Sequence, residues 1–185
     1  PINLTILGSG SAVPNLYRGV TSQYLNFNER RILIDCGEGT QLQLRRFKVK
    51  FNRLQYIFIS HLHGDHFLGI FGLLSSMSLL GRTNKLTVFA PEGLEEIVRH
   101  QFKLSHVYLS FELEFITLNV KEKTKVFEDG AIEVFAFPLK HRVTCYGFLF
   151  QERQLEKRLD KKGIEKYQLG LAEIVKAKKG LDIER

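Results

Sequence analysis

The sequence predicts an α/β fold, and three observations point there. Short apolar segments rich in β-branched and aromatic residues, such as Ile57-Phe58-Ile59 and Leu86 to Ala90, read as buried strands. Longer segments follow them, Phe67 to Leu79 and Pro91 to about Lys103, and read as helices. Ligand-type residues stand where the apolar strands stop, the edge at which open α/β sheets place their sites. At 185 residues with 44% hydrophobic side chains, the chain suits one domain with a packed core.

Taken in order, Asn3 to Leu7 is a first strand that breaks into the small-residue loop Gly8-Ser9-Gly10-Ser11-Ala12-Val13-Pro14. Lacking a Lys-Ser/Thr ending or a GxGxxG pattern, this loop reads as a wall of the site or a tight connection rather than a nucleotide cradle. Gln23 to Phe27 and Arg31 to Asp35 form a hairpin around Asn28-Glu29-Arg30. Asp35 closes its strand and is read as a ligand, a turn cap or, best, a support that orients a ligand histidine. Thr40 to Phe47 is a short helix.

The next strand runs into His61-Leu62-His63-Gly64-Asp65-His66. Four ligand-type side chains in six positions are hard to obtain from packing needs. In extended backbone His61 and His63 project to the same side and can share an ion. Gly64 permits a turn, after which Asp65 and His66 offer an oxygen and a nitrogen for a second centre. The helix expected after this point should be apolar on most sides and buried, and its N-terminal dipole should help keep His66 neutral. Pro91-Glu92-Gly93-Leu94-Glu95-Glu96 reads as the opening of a further helix. His100 and His106 are expected on the surface.

Phe111 to Thr117, Lys125 to Phe127 and Ile132 to Phe137 are read as strands, the last again ending on a histidine, His141. A second strand delivering a histidine would complete three-nitrogen coordination with His61 and His63. Tyr146 to Phe150 is one more strand.

The net charge is +7, and Arg45, Arg46, Lys48, Lys50 and Arg53 crowd ahead of the histidine strand with no acid among them. A charge run alone is more often a solvated face; beside a ligand cluster, a polyanionic partner is the better reading. No apolar run approaches the roughly 20 residues of a membrane span, and the N-terminus lacks signal-peptide character. The expected compartment is the cytoplasm, with Cys36 and Cys145 reduced. Residues 151–185 carry ten Lys or Arg against seven Asp or Glu and are expected to form a projecting, partly helical arm beside a domain of residues 1–150.

His61-Leu62-His63-Gly64-Asp65-His66 resembles the HxHxDH signature of the metallo-β-lactamase fold. Asp35-Cys36-Gly37-Glu38-Gly39-Thr40-Gln41, His66 to Leu73 and Lys140-His141-Arg142-Val143 are similar to ribonuclease Z, the endonuclease that trims the 3′ end of precursor tRNA. The resemblance spans roughly residues 2–150. It implies an αββα sandwich and two zinc ions, one on His61, His63 and His141, the other on Asp65 and His66. Asp65 would also take a proton from the bridging water. It further implies a homodimer whose arm grips tRNA bound to the opposite subunit, with Lys161, Lys162, Lys176, Lys178 and Lys179 suited to phosphate contacts. The loop Pro14 to Gly19 keeps the proline and arginine (Arg18) of a family loop associated with the tRNA 3′ end, without its lysine and asparagine. The family completes its second centre with an aspartate and a histidine beyond the arm, and no histidine follows His141. The chain is therefore expected to be the N-terminal half of the sandwich plus the arm.

Two other readings share these residues. One is a small-molecule hydrolase of the same fold, a phosphodiesterase, lactonase or arylsulfatase-like enzyme; the other is a non-catalytic fragment. Manganese or iron could replace zinc in a mixed nitrogen and oxygen site.

Overall fold

A computed structural model describes residues 2–153 and 159–183. Two sheets are present. The larger runs in the order β1 (Ile2–Gly8), β2 (Ser22–Phe27), β3 (Arg30–Ile34), β4 (Tyr56–Phe58), β5 (Leu86–Pro91), β6 (Leu113–Leu118). Its first three strands pair antiparallel and the rest parallel. The smaller is an antiparallel meander of β7 (Thr124–Glu128), β8 (Ile132–Pro138) and β9 (Tyr146–Glu152).

The near-continuous apolar character of β4 and β5 has a direct cause, since both faces of the sheet are covered. Leu33, Ile57, Ile59 and Val88 pack with α1 (Thr40–Arg46), α3 (Ile70–Leu79) and α4 (Leu94–Leu104) through Leu44, Ile70, Leu73, Leu74, Leu94 and Val98. On the opposite face, Ile32, Phe58 and Phe89 meet Ile132, Val134 and Tyr146 of the smaller sheet. Phe58 stacks on Phe89 at 4.4 Å and meets the edges of Phe148 and Phe150 at 5.2 and 5.3 Å. Helices, large sheet and small sheet are thus three successive layers. An apolar groove of about 490 Å³, lined among others by Ile2, Leu4, Leu25, Phe148 and Phe150, opens between β1–β2 and β9.

Two helix expectations need correction. The segment from Phe67 to Leu79 is not one helix: a single turn, α2 (Gly64–Phe67), is separated from α3. At Gly69 a Cβ would lie 2.1 Å from the Gly37 carbonyl oxygen, so the chain bends around a close backbone approach. Nor is the segment buried all round, because Leu68 and Leu79 are 48% and 86% exposed. Pro91 does not open the next helix; it is the last residue of β5, in register with Leu118. That helix, α4, starts at Leu94 after Gly93, whose φ of 98° suits glycine alone, with Glu95 and Glu96 in its first turn.

Beyond β9, which runs two residues past the expected boundary at 150, lie α5 (Lys161–Lys166) and α6 (Leu171–Lys178), with no buried residue in either. Residues 154–158 and 184–185 of the expected arm lie outside the described residues. No described helix is long and apolar enough to cross a membrane.

A tight backbone constraint lies between the end of β3 and α2. A Cβ on Gly37 would sit 2.2 Å from the Asp65 carbonyl oxygen and 2.4 Å from Val20 Cγ2. Gly37→Ala is expected to destabilise the protein by about 3 kcal/mol, the upper end of overpacking, read from the urea midpoint. Gly130, where a Cβ meets nothing within 4 Å, should tolerate alanine to within about 0.5 kcal/mol.

Candidate metal centre

Strand register assembles the site. Ile34 is paired with Phe58 in the parallel β3–β4 ladder, so the residues that follow leave the sheet at one edge. Asp35 has φ 55°, in the left-handed region, and its N–H donates to the Phe58 carbonyl at 2.8 Å. Its side chain then turns to the end of β4. Oδ1 accepts the Ser60 N–H at 2.8 Å, and Oδ2 accepts the Ser60 hydroxyl at 3.0 Å. His66 Nδ1 lies 2.7 Å from the same Oδ2.

The rest of the Asp-Cys-Gly-Glu-Gly-Thr-Gln stretch clamps this arrangement. Cys36 N–H donates to the His66 carbonyl at 2.7 Å, and Gly69 N–H to the Cys36 carbonyl at 2.9 Å. Gly39, at φ 77°, begins α1, and the Gln41 amide donates to the Ser76 hydroxyl on α3. Burial pushes the Cys36 thiol pKa up, so it stays protonated. Cys145 is half-buried in the loop that carries His141, where Leu139 N–H donates to its carbonyl.

Three imidazoles converge. His61 Nε2 is 3.1 Å from His63 Nδ1, and His141 Nε2 is 3.3 Å from that same atom. One ligand atom from each of the three histidines lies within 4.8 Å of the others. A tetrahedral zinc with bonds of about 2.0–2.1 Å spaces its ligands about 3.3 Å apart, so the nitrogens fit an ion of that size. His141 arrives from a different sheet. Pro138 and Tyr146 close the β8–β9 ladder on either side of its loop, and Tyr146 N–H donates to the Ser60 carbonyl at 2.9 Å. His61 is buried, His63 half-buried and His141 exposed.

Beside this trio, His66 Nε2 is 3.6 Å from Asp65 Oδ2, which accepts the Ala12 N–H at 2.8 Å. Ala12, Pro14 and Glu38 line a cavity of about 340 Å³ with His63 and Asp65. Glu38 is an exposed carboxylate at this cavity, and sequence reasoning missed it. Burial and the neighbouring charge of His66 push the His61 pKa down to about 4. Burial would raise the Asp65 carboxyl, but the Ala12 N–H and His66 outweigh it and hold it below the ordinary value. For His66 the expectation of a disfavoured charge is reversed. Burial lowers its pKa, yet the hydrogen bond and charge of Asp35, with Asp65, raise it overall, and α2 is only four residues long.

Arg18 lies apart from the imidazoles, in a cavity of about 440 Å³ with Tyr17, Gln43, Arg46 and Phe47. Lys161 and Lys162 on α5, Lys176 and Lys178 on α6 and Lys179 just after it are exposed, and none lines the cavity at His63 and Asp65. His100 and His106 are exposed.

Residues 2–164 match the family model described as Anti-Pycsar protein Apyc1. The chain belongs to that family. Curated relatives are named ribonuclease Z: the chain is 42% identical to that of Bacteroides thetaiotaomicron over 179 residues and 40% identical to that of Bacteroides fragilis. These alignments cover 97% of the chain but 57% and 59% of the relatives, so it spans under three-fifths of their length. Human tRNase Z, short form, superposes with a TM-score of 0.74 at 35% identity, over 81% of this chain and 64% of that one. A metallo-β-lactamase fold protein from Bacillus subtilis gives 0.64 at 19% identity, over 89% and 67%. The Apyc1-family chain therefore has the metallo-β-lactamase fold, and the three observed layers are part of its αββα sandwich.

Proposed function

We propose that this chain carries most of the active site of a zinc-dependent endoribonuclease that hydrolyses a phosphodiester at the 3′ end of precursor tRNA. The observation that carries the reading is the convergence of His61, His63 and His141 beside Asp65 and His66, in a chain 42% identical to a ribonuclease Z. The three imidazoles would hold one zinc, and Asp65 and His66 would begin a second position; nitrogen-rich donor sets favour zinc over magnesium or calcium. When bound, the zinc ions polarise the phosphate and lower the pKa of water at the site.

The chain's own groups do the rest. Asp65 Oδ2, ionised and held by the Ala12 N–H, takes the proton of the attacking water. The water oxygen bonds to phosphorus as the bond to the leaving ribose oxygen breaks. Ala12, Pro14 and Glu38 wall the cavity that receives the scissile linkage. Away from the chemistry, Arg18 and Arg46, with the faces of Tyr17 and Phe47, offer a basic and aromatic surface to an RNA strand. Lys161, Lys162, Lys176, Lys178 and Lys179 supply further phosphate contacts on an arm spanning residues 151–185, outside the domain of residues 1–150. Such an enzyme works where tRNA precursors are made, in the cytoplasm.

Asp65→Ala in the intact protein should lower cleavage of a precursor tRNA at least about a hundredfold. Near-normal cleavage would sink the assignment. For the basic surface, log KM for the precursor should rise linearly with log salt, and Arg18→Ala with Arg46→Ala should reduce that slope by about 1–2. A salt-independent KM would point instead to a small-molecule hydrolase.

We also propose that the intact protein is a homodimer. Val13 and Leu16 are 74% and 89% exposed on the loop beside the site and suit a subunit contact. Light scattering at micromolar concentration should return twice the chain mass; a monomer overturns this.

A further inference from the structure

Ser60 is not directed at the three-nitrogen cluster, yet its hydroxyl touches a histidine from each group of candidate ligands. Oγ lies 3.0 Å from Asp35 Oδ2, 3.0 Å from His61 Nδ1 and 3.2 Å from His66 Nδ1. A hydroxyl has a single proton, and the Asp35 oxygen receives it. Toward His61, Ser60 is left with lone pairs only. His61 Nδ1 must then carry a proton and donate it, which leaves Nε2 with a free lone pair, and Nε2 is the atom that faces His63 Nδ1 at 3.1 Å. The opposite assignment, Ser60 donating to His61, would set the lone pairs of Oγ and Asp35 Oδ2 against each other at 3.0 Å with no proton between them.

His66 obeys the same logic directly. Its Nδ1 donates to Asp35 Oδ2 at 2.7 Å, so in the neutral ring that binds metal the Nε2 lone pair faces the Asp65 side.

We propose that Ser60 is a positioning residue that relays the Asp35 carboxylate to His61, so that one buried carboxylate fixes the metal-binding tautomer of a histidine in each of the two candidate ligand sets. The inference rests on the reading that these histidines hold metal. It makes the two positions dependent on a common group: the ligand at one is oriented by Asp35 itself, the ligand at the other by Asp35 through a hydroxyl. A carboxylate behind an imidazole also raises the basicity of the far nitrogen.

The main chain at Ser60 is pinned independently of its side chain, with N–H to Asp35 Oδ1 and the carbonyl accepting from Tyr146 N–H. Ser60→Ala therefore removes the relay and keeps those bonds. In competition titrations of the intact protein with zinc against a chromophoric chelator, Ser60→Ala should bind zinc about 10–100-fold more weakly, and Ser60→Thr, which keeps a hydroxyl, should stay within about threefold of wild type. An alanine variant within that threefold range overturns the relay. Nitrogen-15 imidazole spectra of the metal-free wild type give a second readout: His61 should be the Nδ1–H tautomer, and an Nε2–H tautomer overturns the proposal. A wild type that takes up no zinc would refute the metal reading, and the His61 tautomer alone would then decide the relay.

Discussion

A carboxylate that is 4% exposed must be surrounded by donors or it destabilises the protein by several kcal/mol. Asp35 meets that demand with the Ser60 N–H, the Ser60 hydroxyl and His66 Nδ1. The donors come from the end of β4 and from α2, so satisfying one charge joins the two strand ends and the first turn beyond them. The left-handed backbone of Asp35 turns its side chain across to β4. Few non-glycine residues adopt that conformation, and Asp is among those that tolerate it. Cys36 and Gly37 then run so close to residues 65–69 that only glycine fits at two points.

The remaining geometry follows from parallel pairing. Because Ile34 and Phe58 are in register, Asp35 and Ser60 emerge side by side, and the alternation along β4 sends Ile57 to the helices and Phe58 to the second sheet. That second sheet is attached to the site through Tyr146 N–H on the Ser60 carbonyl, which brings the exposed His141 loop over the buried His61. The three nitrogens thus sit on supports of different stiffness. His61 and His63 follow a core strand, whereas His141 rides on a loop whose local opening costs less.

What the sequence disclosed depended on range. His61, His63, Asp65 and His66 were legible because their spacing is local, and His141 because a second apolar strand stops just short of it. The break at Gly69 was not, since a lone glycine in an apolar run gives no sign that a carbonyl from residue 37 will press on it. Pro91 before two glutamates looks like a helix start, yet the β6 ladder holds it in register with Leu118 as the last residue of β5, and a proline at a strand end is tolerated. The electrostatics of His66 were misread for the same reason: the dipole of the helix expected after it was visible in sequence, while the carboxylate 31 residues away that outweighs it was not. Ser60 sat in plain view next to His61, and only the fold supplies the partner that gives its hydroxyl a direction. The arm lysines were legible as charge alone.

The crossing of Gly37 and Gly69 bears on what could be transplanted. Copying His61 to His66 onto another strand end would carry the imidazoles without the group that sets their protonation or the glycines that let the second chain approach. The smallest portable unit is a pair of adjacent parallel strand ends, with Asp35 to Gly39 on one and Ser60 to Gly69 on the other. A designer who borrows this centre must graft two segments in register, and the spacing between recipient strands becomes part of the donor's chemistry.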